Sequence, residues 1–172
     1  ERNPVQVRKD LAAISGTGKP KVGYQKAELI RQLERFLGCD ETLRAVLVGA
    51  GRLGSALYEY GGFAGYGVEI VAAFDEAPRE PRPGKPVYPM AWLESMCRKL
   101  DVSIGILTVP AEHAQAACDR LVQSGVRAVW NFAPTHLSVP PGILVQNENM
   151  ASSLAVLRQH LIRSEIDFSK EE

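Results

Sequence analysis

The chain has 172 residues, with 20 basic and 20 acidic side chains, three histidines and three cysteines. At 45% hydrophobic and 23% charged it can bury a core, which excludes disorder by composition, and its length suits one α/β domain with a small appendage. The longest apolar run, Ile70–Phe74, is too short to cross a bilayer, and no charged-then-apolar leader opens the chain.

Cys39, Cys97 and Cys118 are odd in number and far apart. That predicts reduced thiols in a cytoplasmic protein, with neither a disulfide framework nor a zinc site. Asn3 and Pro4 open the first predicted helix, Asn as N-cap and Pro in the first turn. Val7, Leu11 and Ile14 form its apolar stripe, while Gln6, Arg8, Lys9 and Asp10 mostly look elsewhere. Ser15–Lys21 is a short, basic, glycine-punctuated loop. A second helix is predicted over Lys26–Leu37, with Leu29, Ile30, Leu33, Phe36 and Leu37 on one face and Gly38 as its stop. Residues 1–26 carry six basic side chains against two acidic ones, either a solvated surface or an anion-binding arm.

The middle of the chain alternates strands and helices. Arg44–Val48 reads as a strand, and Leu53, Ala56, Leu57 and Tyr60 follow at helical spacing. Val68–Phe74 is a second strand, the proline-rich stretch Ala77–Pro89 a loop, and Met90–Leu100 a helix. Ser103–Val109 is a strand, Ala111–Ser124 a helix with a buried stripe of Ala114, Ala117, Cys118, Leu121 and Val122, and Val126–Phe132 and Ile143–Gln146 two further strands. Strands apolar on both faces and separated by helices imply a Rossmann-type parallel sheet covered on both sides. The last helix carries Met150, Leu154, Leu157 and Leu161 at 4-3-4 spacing. This stripe packs either on a partner outside its own domain or on the chain's own N-terminal helices.

The sharpest chemical signal is Gly49-Ala50-Gly51-Arg52-Leu53-Gly54. The motif directly follows a predicted strand, opens a helix, and has Asp75 at the end of the next strand, the context that dinucleotide binding requires. The first glycine allows a tight turn, the second lets backbone approach a pyrophosphate, and the third permits close helix–strand contact. A glycine turn without a ligand is the alternative. Asp75 would accept from ribose hydroxyls and repel a 2′-phosphate, favouring NAD over NADP, although Arg79 and Arg82 lie close behind; it also reads as a turn-initiating aspartate. Thr108-Val109-Pro110 and Asn131-Phe132-Ala133-Pro134 end two strands on the edge where ligands of open parallel sheets bind, or simply punctuate those ends. His113, His136 and His160 are placed by no pattern beside a carboxylate or nucleophile. They read as surface or packing residues, so no catalytic group and no metal ligand is expected.

Taken together, the chain resembles the Rex family of redox-sensing transcriptional repressors. The matching stretches are Gln6–Leu11, Val22-Gly23-Tyr24, Val48–Gly54, Val71–Asp75, Pro86-Val87-Tyr88, Ile106–Ala111 and Asn131–Pro134, in family order and at family spacing. The resemblance implies a winged-helix DNA-binding module at residues 1–38, an NAD(H)-binding Rossmann domain at 39–149, and a C-terminal helix and tail at 150–172 exchanged within a homodimer. On this match Gln6, Arg8 and Lys9 lie on the recognition helix and Lys19 and Lys21 in the wing, and the helices preceding the recognition helix are expected outside this sequence. The implied activity is repression at a palindromic DNA operator with release by NADH; no membrane partner is implied. An Arg/Lys/Gln face suits major-groove base edges and a basic wing suits phosphates. The chain departs from the pattern at Arg52, where Asn is common. It departs again in a wing without aromatic residues and at Asn147-Glu148-Asn149-Met150, where Asn-Val-Asp-Leu is frequent. Two alternatives remain: a CoA- or dinucleotide-binding module of an acyl-CoA ligase, which gives the basic helix no role, and a small NAD-dependent oxidoreductase, which lacks a catalytic pair and a substrate domain.

Overall fold

The computed structural model describes residues 3–15, 23–36, 38, 42–78 and 84–168. The predicted wing, with Lys19 and Lys21, lies outside them, as do Leu37, Cys39, Arg79 and Arg82. The chain divides into two compact units, residues 1–43 with 61–69, and residues 44–60 with 70–172.

In the first unit, helix α1 (Pro4–Ser15) packs against α2 (Lys26–Phe36). Asn3 starts α1 as expected: its Oδ1 accepts the Val5 N–H at 3.0 Å and its carbonyl accepts from Gln6 and Val7. Leu11 and Ile14 are half-buried, whereas Val7, Ile30 and Phe36 stay exposed. Residues 61–66 form a 3-10 helix that apolar periodicity did not disclose, because three of the six are glycines.

The second unit is built on a six-stranded sheet: β1 (Leu43–Val48), β2 (Val68–Asp75), β3 (Val87–Pro89), β4 (Ile104–Leu107), β5 (Ala128–Asn131) and β6 (Leu144–Asn147). The strand order is β3-β2-β1-β4-β5-β6, and β2–β3, β1–β4, β4–β5 and β5–β6 pair in parallel. This is the doubly wound order of the Rossmann-type α/β fold. The order reverses beside β1, so right-handed crossovers put α3 (Arg52–Glu59) on one face and α5 (Ala111–Gln123) on the other. Helix α4 (Leu93–Lys99) lies against α5. Val46, Val48, Phe74, Leu93, Leu107, Leu121 and Val129 form the core between sheet and helices.

Two sequence expectations need correction. Ala77–Pro89 is not loop throughout: Val87–Pro89 pairs with β2, Ala73 opposite Val87 and Asp75 opposite Pro89. A three-residue strand flanked by proline is too short to show a period of two. It is held instead by the sheet and by Tyr88, whose ring centroid lies 5.9 Å from that of Phe74. Nor is every strand apolar on two covered faces. β6 ends the sheet, and its Leu144 is 72% exposed. Helix α6 (Met150–Phe168) follows, and every residue of it whose side chain is described is exposed.

Cys97 and Cys118 are buried as free thiols. Burial pushes Cys97 from 9.0 up to about 11, and it raises Cys118 too, with Asp119 adding to the effect. Tyr58 rises to about 12, mainly through burial and further through Tyr88. Each raised value stabilises the folded state below the ordinary pKa and withdraws that contribution as pH climbs through the folded one. Stability measured by urea unfolding should therefore fall between about pH 9 and 12, with Cys97 alone contributing on the order of 2 kcal/mol. Native protein at pH 7 should leave Cys97 and Cys118 unmodified by a thiol reagent until it is denatured.

Candidate functional site

The carboxyl edge of the sheet is organised by the turn from β1 into α3. Gly49 sits at φ +98°, where a side chain is strained, and its N–H donates to Phe74 O at 2.8 Å. A Cβ on Gly54 would stand 1.9 Å from Gly49 O and 2.7 Å from Thr108 Oγ1, so α3 approaches the end of β1 as only glycine permits. A Cβ on Gly51 would meet nothing within 4 Å. The turn therefore demands glycine at 49 and 54 for its own geometry, while at 51 the space in front of the backbone is open. That opening lies at the N-terminus of α3, whose first-turn N–H groups lack partners within the helix and favour an anion.

Asp75 ends β2 and faces the turn. Its Oδ2 accepts the Ala50 N–H at 2.7 Å and its Oδ1 the Ala77 N–H at 2.9 Å. Both readings of Asp75 thus meet in one residue. It is a turn aspartate, and each carboxylate oxygen keeps a lone pair for a further donor. Thr108 ends β4 with its Oγ1 2.6 Å from Gly49 O and 3.2 Å from Val48 O, so its hydroxyl fastens β4 to the glycine turn.

A cleft of about 340 Å³ opens beside this turn. Of the expected residues, Gly49, Gly51, Asp75, Thr108, Val109 and Pro110 line it. Ala50, Arg52, Leu53 and Gly54 belong to the same turn and the first turn of α3 without lining it. Asn131, Phe132, Ala133 and Pro134 stand at the end of β5, outside the lining. Asn131 is completely buried, and its amide is occupied by Ala133 N, Thr135 O and Asn147 Oδ1 at 3.0, 2.8 and 2.8 Å. It shapes this edge from within.

Sequence reasoning missed Met90, Glu76, His113, Ala116, Ala117 and Arg120, which complete the lining. Four of them fall at i, i+3, i+4 and i+7 along α5, in a helical stripe that shares Ala117 with the core-facing one. Arg120 donates to Met90 O at 2.6 Å and thereby joins α5 to the turn after β3. Fit to a dinucleotide rests on the open face at Gly51 and on the acidic end of β2. Glycine, a carboxylate and apolar methyl groups match a pyrophosphate, a ribose diol and a flat base.

In the first unit, Gln6, Arg8 and Lys9 are exposed on α1, and Gln6 Nε2 donates to Asp10 Oδ1 at 2.8 Å. At 100° per residue Lys9 stands opposite the Val7–Leu11–Ile14 stripe, with Arg8 and Gln6 on either side. On α6, Met150, Leu154, Leu157 and Leu161 are between 56% and 67% exposed. Among the described residues no helix is long and apolar enough to span a membrane, and no three His, Cys, Asp or Glu side chains gather as metal ligands.

Comparison with known proteins gives a consistent picture. Residues 40–135 match the family described as CoA binding domain. The redox-sensing transcriptional repressor Rex of Treponema denticola is 42% identical over 162 residues, 91% of this chain and 76% of its own length. The Rex repressor of Bacteroides thetaiotaomicron is also 42% identical, over 94% of this chain and 74% of its own. Among solved structures, RSP, a Rex-family repressor, in complex with β-NAD+ and operator DNA superposes with a TM-score of 0.85 at 32% identity, covering 98% of this chain and 79% of that one. The same protein in complex with β-NADH gives a TM-score of 0.80 at 33% identity, with the same coverage.

Two glycine substitutions separate fold from site. Gly54→Ala should lower stability by about 2–4 kcal/mol through overpacking against the Gly49 carbonyl. Gly51→Val should leave the melting temperature unchanged and remove NADH binding, read by fluorescence titration.

Proposed function

The chain belongs to the Rex family of redox-sensing transcriptional repressors, and from that premise we propose that the cleft beside the Gly49–Gly54 turn is where it reads the NADH/NAD+ ratio. It is a repressor that binds operator DNA, takes NAD(H) as its cofactor and is released when NADH binds. The observation that carries the site assignment is the open face at Gly51, set between the N-terminus of α3 and the Asp75 carboxylate.

On this reading the residues divide the cofactor between them. The first-turn N–H groups of α3 and the Arg52 guanidinium face the pyrophosphate, and Asp75 accepts from the adenosine ribose and repels a 2′-phosphate. Met90, Ala116 and Ala117 supply the apolar wall on which an adenine packs. Thr108–Pro110 and the Asn131–Pro134 turn then border the nicotinamide, whose charge and pucker distinguish the two redox forms when bound. The cofactor acts as a signal: its relatives are repressors, and we read the chain as one without turnover.

Residues 1–38 we read as the part of a winged-helix domain that carries the recognition helix and wing. On this reading Gln6, Arg8 and Lys9 there read base edges, and Lys19 and Lys21, outside the described residues, are the candidates for phosphate contact. Residues 39–149 form the NAD(H)-binding domain, and 150–172 the helix and tail exchanged in a homodimer. The exposed leucines of α6 support this reading, since a stripe of that size is ordinarily covered by a partner. An isologous dimer presents two recognition helices to a palindromic operator. A protein that works on operator DNA in this way belongs in the cytoplasm.

Release by NADH requires that it bind one arrangement of the dimer more tightly than the other, because equal affinity shifts nothing. Operator affinity of the full-length protein, measured at fixed salt, should fall about 5–150-fold from saturating NAD+ to saturating NADH. Equal affinity in the two would refute the sensing role. Leu157→Asp should yield monomers or insoluble protein in sedimentation; a soluble dimer of normal stability would place the interface elsewhere.

A further inference from the structure

The end of β5 is tied to the start of α6 by a set of polar contacts in which both donors of a buried amide are used. Asn131 and Asn147 are register partners in β5 and β6. Both donors of the buried Asn131 amide are used, one on Thr135 O and one on Asn147 Oδ1, each at 2.8 Å, and its Oδ1 accepts the Ala133 N–H at 3.0 Å. The Asn131 carbonyl accepts the Glu148 N–H at 2.8 Å. From the neighbouring position, Trp130 Nε1 donates to Glu148 Oε1 at 3.0 Å, and the Trp130 ring packs on Phe132 with centroids 4.6 Å apart. One residue further on, Asn149 caps α6, its Oδ1 accepting the Ser152 N–H at 2.9 Å.

We propose that Asn147 and Glu148, gripped by Asn131 and Trp130, are positioning residues that pass the state of the Phe132–Thr135 turn to α6. The inference rests on the sensing reading above and extends it. A completely buried amide is costly to leave unpaired. A shift of the turn therefore carries Asn147 and Glu148 with it, and because Asn149 follows at once as the cap, the first turn of α6 moves as well. Neither Asn147 nor Glu148 lines the cleft, so they act on response and not on ligand binding. In the partner-covered helix such a shift changes the dimer arrangement, which is the quantity the operator reads.

The test is made in the full-length protein, with operator affinity measured in saturating NAD+ and in saturating NADH, and the NADH Kd measured separately. Asn147→Ala with Glu148→Ala removes both acceptors. It should keep the NADH Kd within about threefold while shrinking the NAD+/NADH ratio of operator affinities by about fivefold or more, within the ordinary range of coupling. Glu148→Ala alone, which leaves the Asn131 amide fully paired, should reduce the ratio in part. Asn147→Asp with Glu148→Gln keeps both acceptor oxygens and should restore it. Amide exchange over residues 148–153 should differ between the NAD+ and NADH forms of the wild type and not in the double alanine variant. A full ratio in either folded alanine variant, or a loss of NADH affinity in step with the ratio, overturns the proposal. A wild type whose operator affinity ignores NADH overturns the sensing reading, and this one with it.

Discussion

Helix α3 meets the end of β1 at a distance that leaves no room for a single methyl group at Gly54, and the carboxyl edge of the sheet is organised around that contact. Gly49 must turn through a positive φ for α3 to start there, and the start of α3 points its free N–H groups across the open face of Gly51. Thr108 closes on the Gly49 carbonyl from β4, and Asp75 closes on the Ala50 N–H from β2. Three neighbouring strands are thus locked to one turn, with the open face of Gly51 beside it. An open parallel sheet places its ligand where the strand order reverses, and here that point lies beside the close approach of Gly54 to the Gly49 carbonyl.

A second theme is how much of the polar chemistry at the strand ends is used internally. Thr108 and Asn131 look from sequence like cofactor ligands, yet the Thr108 hydroxyl and all three hydrogen bonds of the Asn131 amide are committed to backbone and to Asn147. Buried polar groups hold a unique geometry only when every partner is satisfied. These residues hold the strand-end turns in place from within. Asn149 shows a related economy. As a neutral N-cap it performs the capping that an aspartate would, and it contributes no charge at the helix start.

The helices at either end of the chain carry apolar residues that the described parts of their units do not cover. On α1, Val7 is exposed opposite Lys9, so the helix has one charged, exposed face while its other face is only half packed. On α6, Met150, Leu154, Leu157 and Leu161 form one exposed edge, and Val156 and Ile162 are exposed off it. An exposed apolar edge of this length is of the kind that a partner ordinarily covers.

The sequence alone determined the alternating α/β order, the N-cap of α1, and the glycine turn with its acidic partner, because each is legible in short stretches of the chain. Periodicity of two or 3.6 and the φ demanded of a glycine are local properties. The short β3 escaped it, since Val87–Pro89 has no period of its own and becomes a strand only beside Phe74 and Asp75. His113, Ala116 and Arg120 escaped it for the same kind of reason: they stand at helical spacing beside the core stripe of α5, with Ala117 common to both, and only the packed sheet decides which side faces the core and which the cleft. The tertiary structure also decided what Asp75, Thr108 and Asn131 are bonded to, for a polar side chain's partner is set by which strand ends lie within about 3 Å of it, not by its neighbours in the chain.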